Sequence, residues 1–309
     1  MNLNPSTQNN LFEHKEIFNQ LSKLYKNNNL PNKILLSGEK GIGKSTLAYH
    51  LINFVLSEDE EHPYDNEINK INFENKSYKL IQNKSNPNFY LIDVAEDKKN
   101  IDINQIRELI INLNKSSFNK KKRFVLIDNI ELLNLNSINA LLKILEEPNE
   151  NINFILINNN KRVLPTLKSR CLNFKVFLTK DQSISIINKL LKDDINNIIN
   201  NELFDNYVTP GKLFKLIKLS NEYGLDLVNF DLNTALKIII RDKIYKKDKS
   251  IIELIYSFIE LYFRNNISTQ NINLLKSYHY FLEKINNTKI YNLDEETLFM
   301  EFEDKILNG

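Results

Sequence analysis

A parallel α/β domain followed by a mainly helical second half is the fold class this sequence predicts, and three patterns predict it. Short apolar runs alternate with amphipathic stretches through the first half, a glycine-rich turn joins the first run to a long helical segment, and no convincing strand follows Lys180. At 309 residues the chain is long enough for two or three domains.

Lys33–Ser37, Phe89–Val94, Arg123–Asp128 and Asn153–Asn158 each read as a buried strand, with Leu172–Phe177 as a fifth candidate. Near-continuous apolar runs suit strands covered on both faces, as in a parallel sheet. Ile103, Ile106, Ile110 and Leu113 recur at helical spacing, so Ile103–Leu113 is predicted helical. A second helix is predicted over Ser137–Glu147, with Asn136 as N-cap, Ile138, Leu141, Leu142 and Leu145 on one face, and Pro148 preventing continuation. Between Ser57 and Ser85 the chain is acidic, then polar, with weak periodicity, and reads as an irregular insertion. Beyond Lys180, Ile184–Leu191, Leu213–Leu219, Leu236–Ile244 and Ile251–Phe263 are helix-like, and Gly224 punctuates them as a domain boundary.

Composition excludes several functions. The formal net charge of +2 gives no bulk basic surface for nucleic acid. One cysteine rules out an intrachain disulfide and any Cys-rich zinc module, and the four histidines lack ligand spacing. No apolar run approaches the roughly 18–20 residues that span a bilayer, and no leader peptide is visible. A cytoplasmic, metal-poor protein without membrane contact is the expectation.

Gly38-Glu39-Lys40-Gly41-Ile42-Gly43-Lys44-Ser45 fits G-x-x-x-x-G-K-[ST], between the apolar Ile34-Leu35-Leu36 and the helix-like Thr46–Leu56. Three of the six glycines fall in this window, in a chain otherwise poor in glycine. Glycines let backbone N–H groups turn inward around phosphate oxygens, and the helix N-terminus adds partial positive charge. Gly38, Gly41, Gly43, Lys44, Ser45 and Thr46 are therefore candidate nucleotide-binding residues for ATP or ADP, with Lys44 reaching the β- and γ-phosphates. Arg123–Asp128 is an apolar strand ending in an acid. At a strand's carboxyl end Asp128 would lie beside the phosphate crevice and join Ser45 in holding Mg²⁺. The next residue is Asn129, which can orient water but not take its proton. Glu131, two positions on, is expected on another face, so weak or absent hydrolysis is predicted.

Asn136-Ser-Ile-Asn-Ala-Leu-Leu-Lys-Ile-Leu-Glu-Glu-Pro148 resembles the N-A-L-L-K-x-L-E-E-P signature of bacterial clamp loaders, and Leu164-Pro-Thr-Leu-Lys-Ser-Arg-Cys171 resembles their L-P-x-T-I-x-S-R-C segment. Pro31 to Thr46 looks like the family's entry to its phosphate loop. Asn86-Pro-Asn-Phe89 with Ile103-Asn-Gln-Ile-Arg107 is similar to a connection of the delta-prime subunits of DNA polymerase III. The likeness spans about residues 11–177 and thins to Thr209-Pro-Gly-Lys212.

The resemblance implies a RecA-like AAA+ domain (1–177), a small helical lid (178–224) and an all-α collar (225–309) that joins subunits into a ring. It implies that Arg170 reaches the ATP of a neighbouring subunit as an arginine finger in trans. The implied partners are the motor (gamma/tau) and delta subunits and, indirectly, the sliding clamp and primer-template DNA. Asn158 and Asn159 occupy the sensor-1 neighbourhood, where contact with a γ-phosphate or water and a solvated loop both stand open. The sensor-2 arginine of motor subunits would fall near Gly211, with Lys212 adjacent but not equivalent. No zinc module can form, and the acidic Ser57–Asp65 stretch is expected to replace it.

Lys120–Arg123 is a basic run open to two readings, a nucleic-acid contact or a solvated turn. Tyr256, Phe258, Tyr262, Phe263, Tyr278, Tyr280 and Phe281 are expected to pack in a core or a subunit interface. The alternatives to a delta-prime-like subunit are an active ATPase of the gamma/tau motor type and a regulatory P-loop switch outside replication.

Overall fold

The five apolar runs become five parallel strands: β1 (Lys33–Ser37), β2 (Phe89–Ile92), β3 (Arg123–Ile127), β4 (Ile152–Asn158) and β5 (Leu172–Lys175). They lie in the order β2-β3-β4-β1-β5, with Leu35 opposite Leu156 and Val125 opposite Phe154. The structure, a computed structural model, describes residues 4–308 except 96, 97, 99, 116–118, 147–150, 162, 205–207 and 268–271. The chain forms two compact units, Met1–Leu178 and Thr179–Gly309.

In the first unit the helices are α1 (Lys15–Lys26), α2 (Lys44–Leu56), α3 (Lys76–Gln82), α4 (Ile103–Leu113), α5 (Leu135–Glu146) and the single turn α6 (Pro165–Lys168). The period of two along each strand decides which helices cover which face. Ile34, Leu36, Phe124, Leu126, Ile155 and Ile157 pack with Phe18, Leu47 and Leu51 from α1 and α2. Leu35, Val125, Ile127, Phe154 and Leu156 pack with Ile106, Leu109, Leu141 and Leu145 from α4 and α5. Burial on both faces is why these strands read as unbroken apolar runs.

Two expectations change. Helix α5 begins at Leu135, because Asn134 Oδ1 accepts the Ser137 N–H at 2.8 Å, so Asn134 takes the capping place expected for Asn136. The expected helix end at Glu147–Pro148 lies outside the described residues. The 57–85 stretch is irregular only in part, with turns and an isolated bridge over 57–75. It carries α3, capped by Asn75, and sends Tyr64 and Ile71 into the core. Its acidic part folds back on α3, where the Glu60 carboxylate accepts from the Ser77 N–H at 3.0 Å and the Ser77 hydroxyl at 2.6 Å.

Two residues of the basic run, Lys121 and Arg123, serve helix ends. Lys121 Nζ donates to the Leu56 carbonyl at 2.7 Å, at the C-terminus of α2. Buried Arg123 donates to the Leu113 carbonyl at 2.9 Å, at the C-terminus of α4. Cations there meet the negative end of the helix dipole.

The second unit is helical throughout its described residues: α7 (Lys180–Leu191), α8 (Pro210–Tyr223), α9 (Leu232–Arg241), α10 (Ile244–Lys247), α11 (Ser250–Asn266), α12 (Ile272–Tyr291) and α13 (Glu295–Phe302). Gly224, left-handed at φ 64°, caps α8. Phe263, Phe281, Phe299 and Phe302 are buried in one core, with Phe281 and Phe302 edge to face at 5.2 Å. Phe258 and Phe263 are core residues as expected, whereas Tyr280 is exposed. Tyr278, Tyr280 and Phe281 fall on α12, within the expected all-α region, whereas α13 has no separate signal in the sequence.

Candidate functional site

The candidate phosphate loop runs from the end of β1 into α2. A Cβ on Gly38 would lie 2.2 Å from the Val176 carbonyl oxygen, so no side chain fits there. Gly41 and Gly43 are left-handed at φ 85° and 92°, conformations open to glycine at little cost. Gly43 is the N-cap of α2 and supplies no side chain to cover the first N–H groups. Lys44 is buried, and its ammonium donates to the Gly38 carbonyl at 2.9 Å and the Glu39 carbonyl at 2.5 Å. Burial pushes its pKa down to about 8, against the pull of Asp128, Glu131 and Glu39.

Ser45 and Thr46 follow on the first turn of α2, both half-buried. The Ser45 hydroxyl donates to Asp128 Oδ2 at 2.6 Å. Burial raises the Asp128 carboxyl above its ordinary range, the Ser45 bond opposes the shift, and the charge of Asp93 adds to it. One hydroxyl and one carboxylate side by side suit Mg²⁺, which usually completes its shell with water and substrate phosphates. Among the described residues, no group of three or more His, Cys, Asp or Glu is arranged to hold a metal by protein ligands alone.

Past Asp128 the chain turns sharply. Asn129 is left-handed at φ 56° and starts a single 3₁₀ turn over Ile130–Leu132. That turn brings Glu131 back toward the site, correcting the expectation that it faces elsewhere. Glu131 Oε1 accepts from Asn159 Nδ2 at 2.8 Å, and Oε2 from the Asn159 N–H at 3.3 Å. The same Asn159 amide donates to Asn129 Oδ1 at 2.8 Å, and Asn129 Nδ2 donates to Asp93 Oδ1 at 2.8 Å. Asp93, Asn129, Asn159 and Glu131 thus form one chain of hydrogen bonds along the carboxyl ends of β2, β3 and β4. The neighbouring Asn158 behaves differently. Its side chain exchanges bonds with the Lys161 backbone, at 3.0 Å to the carbonyl and 3.3 Å from the N–H, while its own carbonyl accepts the Gly38 N–H at 3.2 Å.

Two residues of this region were not singled out from sequence as part of it. Asp93 ends a strand whose apolar run gave no sign of a bonding partner in Asn129. His14 lies 28 positions before Ile42, yet its Nε2–H donates to the Ile42 carbonyl at 2.6 Å, bracing the loop from beneath. Burial lowers the His14 pKa, against the pull of its bond to the Ile42 carbonyl.

Arg170 lies apart from these residues, just after α6. Its Nη1 donates to the Thr166 carbonyl at 2.7 Å and its Nη2 to Glu146 Oε1 at 2.5 Å. The two side chains keep 32% and 56% of their surface exposed, so the guanidinium is at the surface and not in the core. Cys171 beside it is half-buried, and burial pushes its thiol up to about 11, an unreactive state. In the second unit, Thr209 caps α8 by accepting the Lys212 N–H at 3.3 Å.

The family described as "DNA polymerase III, delta subunit" matches residues 13–179. The chain is 28% identical over 198 residues to DNA polymerase III subunit gamma of Buchnera aphidicola subsp. Schizaphis graminum, covering 62% of this chain and 51% of that protein. It is 33% identical over 138 residues to DNA polymerase III subunit delta' of Pseudomonas aeruginosa, covering 44% and 40%. These matches span about half or less of the relatives' own length. A gamma subunit-related protein of Thermotoga maritima shares the fold, with TM-score 0.50 at 19% identity over 91% of this chain and 96% of that one.

Proposed function

Since the chain belongs to the DNA polymerase III, delta subunit, family of clamp-loader AAA+ proteins, we propose that it is a delta-prime-like subunit of the loader in DNA replication. It binds ATP or ADP weakly or statically, hydrolyses it weakly or not at all, and lends Arg170 to the site of a neighbouring motor subunit. The observation that carries this reading is the Arg170 guanidinium, half-exposed and tethered to Glu146 at 2.5 Å, in a chain whose Asp128 is followed by Asn129.

The loop residues suit a Mg·nucleotide, whose phosphates would supply the negative charge that the α2 N-terminus and Lys44 are built to meet. Lys44 would exchange the Gly38 and Glu39 carbonyls for phosphate oxygens, and Ser45 and Asp128 would hold the metal. Asn129 already donates to Asp93 and accepts from Asn159, and an amide has no basic site for a proton from water. Asn158 keeps one amide N–H beyond its bond to Lys161, whereas Asn159 donates both of its own to Asn129 and Glu131, so Asn158 is the proposed sensing amide. A guanidinium supplied by another chain stabilises charge on a transferring phosphoryl group, which gives Arg170 its role. The motor and delta subunits are the proposed direct partners, and the sliding clamp and primer-template DNA are reached through them.

Glu131 favours a second reading, an active motor-type ATPase, since its carboxylate acts on Lys44 from within the same site. Purified chain decides between the two. The delta-prime-like role predicts nucleotide binding that Lys44→Ala removes, with negligible turnover. Turnover comparable to a motor subunit, abolished by Lys44→Ala, would establish the second reading instead.

A further inference from the structure

Glu146 and Arg170, 24 positions apart in the two segments that carry the family likeness, meet in an ion pair. Arg170 is held at two points, by the Glu146 carboxylate at 2.5 Å and the Thr166 carbonyl at 2.7 Å. A planar guanidinium fixed through two nitrogens keeps one orientation, and other N–H groups of its fork remain available to an incoming oxyanion.

Helix stability does not explain the carboxylate. Glu146 is the last described residue of α5, where the negative end of the helix dipole disfavours an anion. The pair is also too exposed, at 32% and 56%, to contribute much to folding or to trap the arginine. It orients without holding hard.

We propose that Glu146 is a positioning residue, which presents the Arg170 guanidinium at the surface in the pose a neighbour's phosphate requires and gives it up when that phosphate arrives. The proposal rests on the reading that Arg170 acts in trans. Pre-orientation raises the rate of a reaction step more than the affinity for its substrate, because the gain lies in the geometry of attack.

The test uses the assembled loader, with the motor and delta subunits and primer-template DNA, and compares Arg170→Ala, Glu146→Ala, Glu146→Gln and Glu146→Asp. Arg170→Ala should remove most of the stimulated turnover. Glu146→Ala should lower kcat by about three- to tenfold, with KM for ATP nearly unchanged and an unchanged melting temperature. Glu146→Gln should fall between that and wild type, and Glu146→Asp should recover most of the rate. Wild-type kcat in Glu146→Ala and Glu146→Gln, together with a damaged Arg170→Ala, would reduce the contact to an ordinary surface ion pair. A faster Glu146→Ala would mean that the carboxylate withholds the arginine, and would also overturn the proposal. A silent Arg170→Ala would remove the trans role itself, and the role of Glu146 with it.

Discussion

Asn129 donates its side-chain amide to the Asp93 carboxylate at 2.8 Å, across the carboxyl ends of two paired strands. The position after Asp128 is therefore occupied by the donor of a carboxylate–amide pair, with the acid on the other strand. Asn129→Glu would set a second carboxylate against Asp93 and beside Asp128. That variant should lose about 1–3 kcal/mol of stability, read as a lower urea midpoint. Asp93→Asn with Asn129→Glu reverses the pair and should recover most of the loss. A double variant no more stable than Asn129→Glu alone would show that the two positions are not coupled.

Lys44 sets a pH dependence on nucleotide binding. Its folded, ligand-free pKa is about 8, lowered from 10.5 first by burial. A phosphate favours the charged ammonium, so the pKa of the bound form lies above that of the free form, and binding takes up a proton as pH rises past about 8. Affinity for ADP should therefore be flat below pH 8 and weaken above it, by up to about tenfold per pH unit. Titrations at pH 7, 8 and 9 check this, and Lys44→Ala should lose the slope along with the affinity. Equal wild-type affinity at all three values would contradict it.

Gly38 tolerates no side chain. A Cβ there would meet the Val176 backbone oxygen at 2.2 Å, and a backbone atom cannot swing aside. Gly38→Ala should cost about 1–3 kcal/mol and weaken nucleotide binding, as measured by chemical denaturation and ADP titration. A variant as stable as wild type would mean that the strand edge moves easily.

Glu301 makes the second unit sensitive to acid. Hydrogen bonds from Lys284, then Lys305, hold its pKa down to about 2 from 4.5. A depressed carboxyl pKa contributes stability that is fully present above 4.5 and lost as pH falls from there toward 2. Glu301→Gln should be less stable than wild type at pH 7, with the difference shrinking across that window. A difference independent of pH would assign the loss to packing instead of charge.

Sequence periodicity located the five strands within two residues of their observed ends, because burial on both faces leaves unbroken apolar runs. The phosphate loop was equally plain, since only glycine suits Gly38, Gly41 and Gly43. What stayed hidden depends on backbone turns and long-range contacts. Glu131 was misplaced because the left-handed turn at Asn129 has no marker in an Asn-rich chain. His14, Asp93 and the Glu146–Arg170 pair join residues from separate segments, and spacing along the chain carries no trace of such meetings. Lys121 and Arg123 read as a charge run because the helix ends they cap come from elsewhere in the sequence.

A structure of the assembled loader with a non-hydrolysable ATP analogue measures the distance from the Arg170 guanidinium to the phosphates bound in the adjoining subunit. The trans role requires a hydrogen-bonding approach of about 2.7–3.2 Å, with Glu146 released or sharing the fork. A guanidinium still paired with Glu146 and facing solvent, far from any phosphate of another chain, would contradict it.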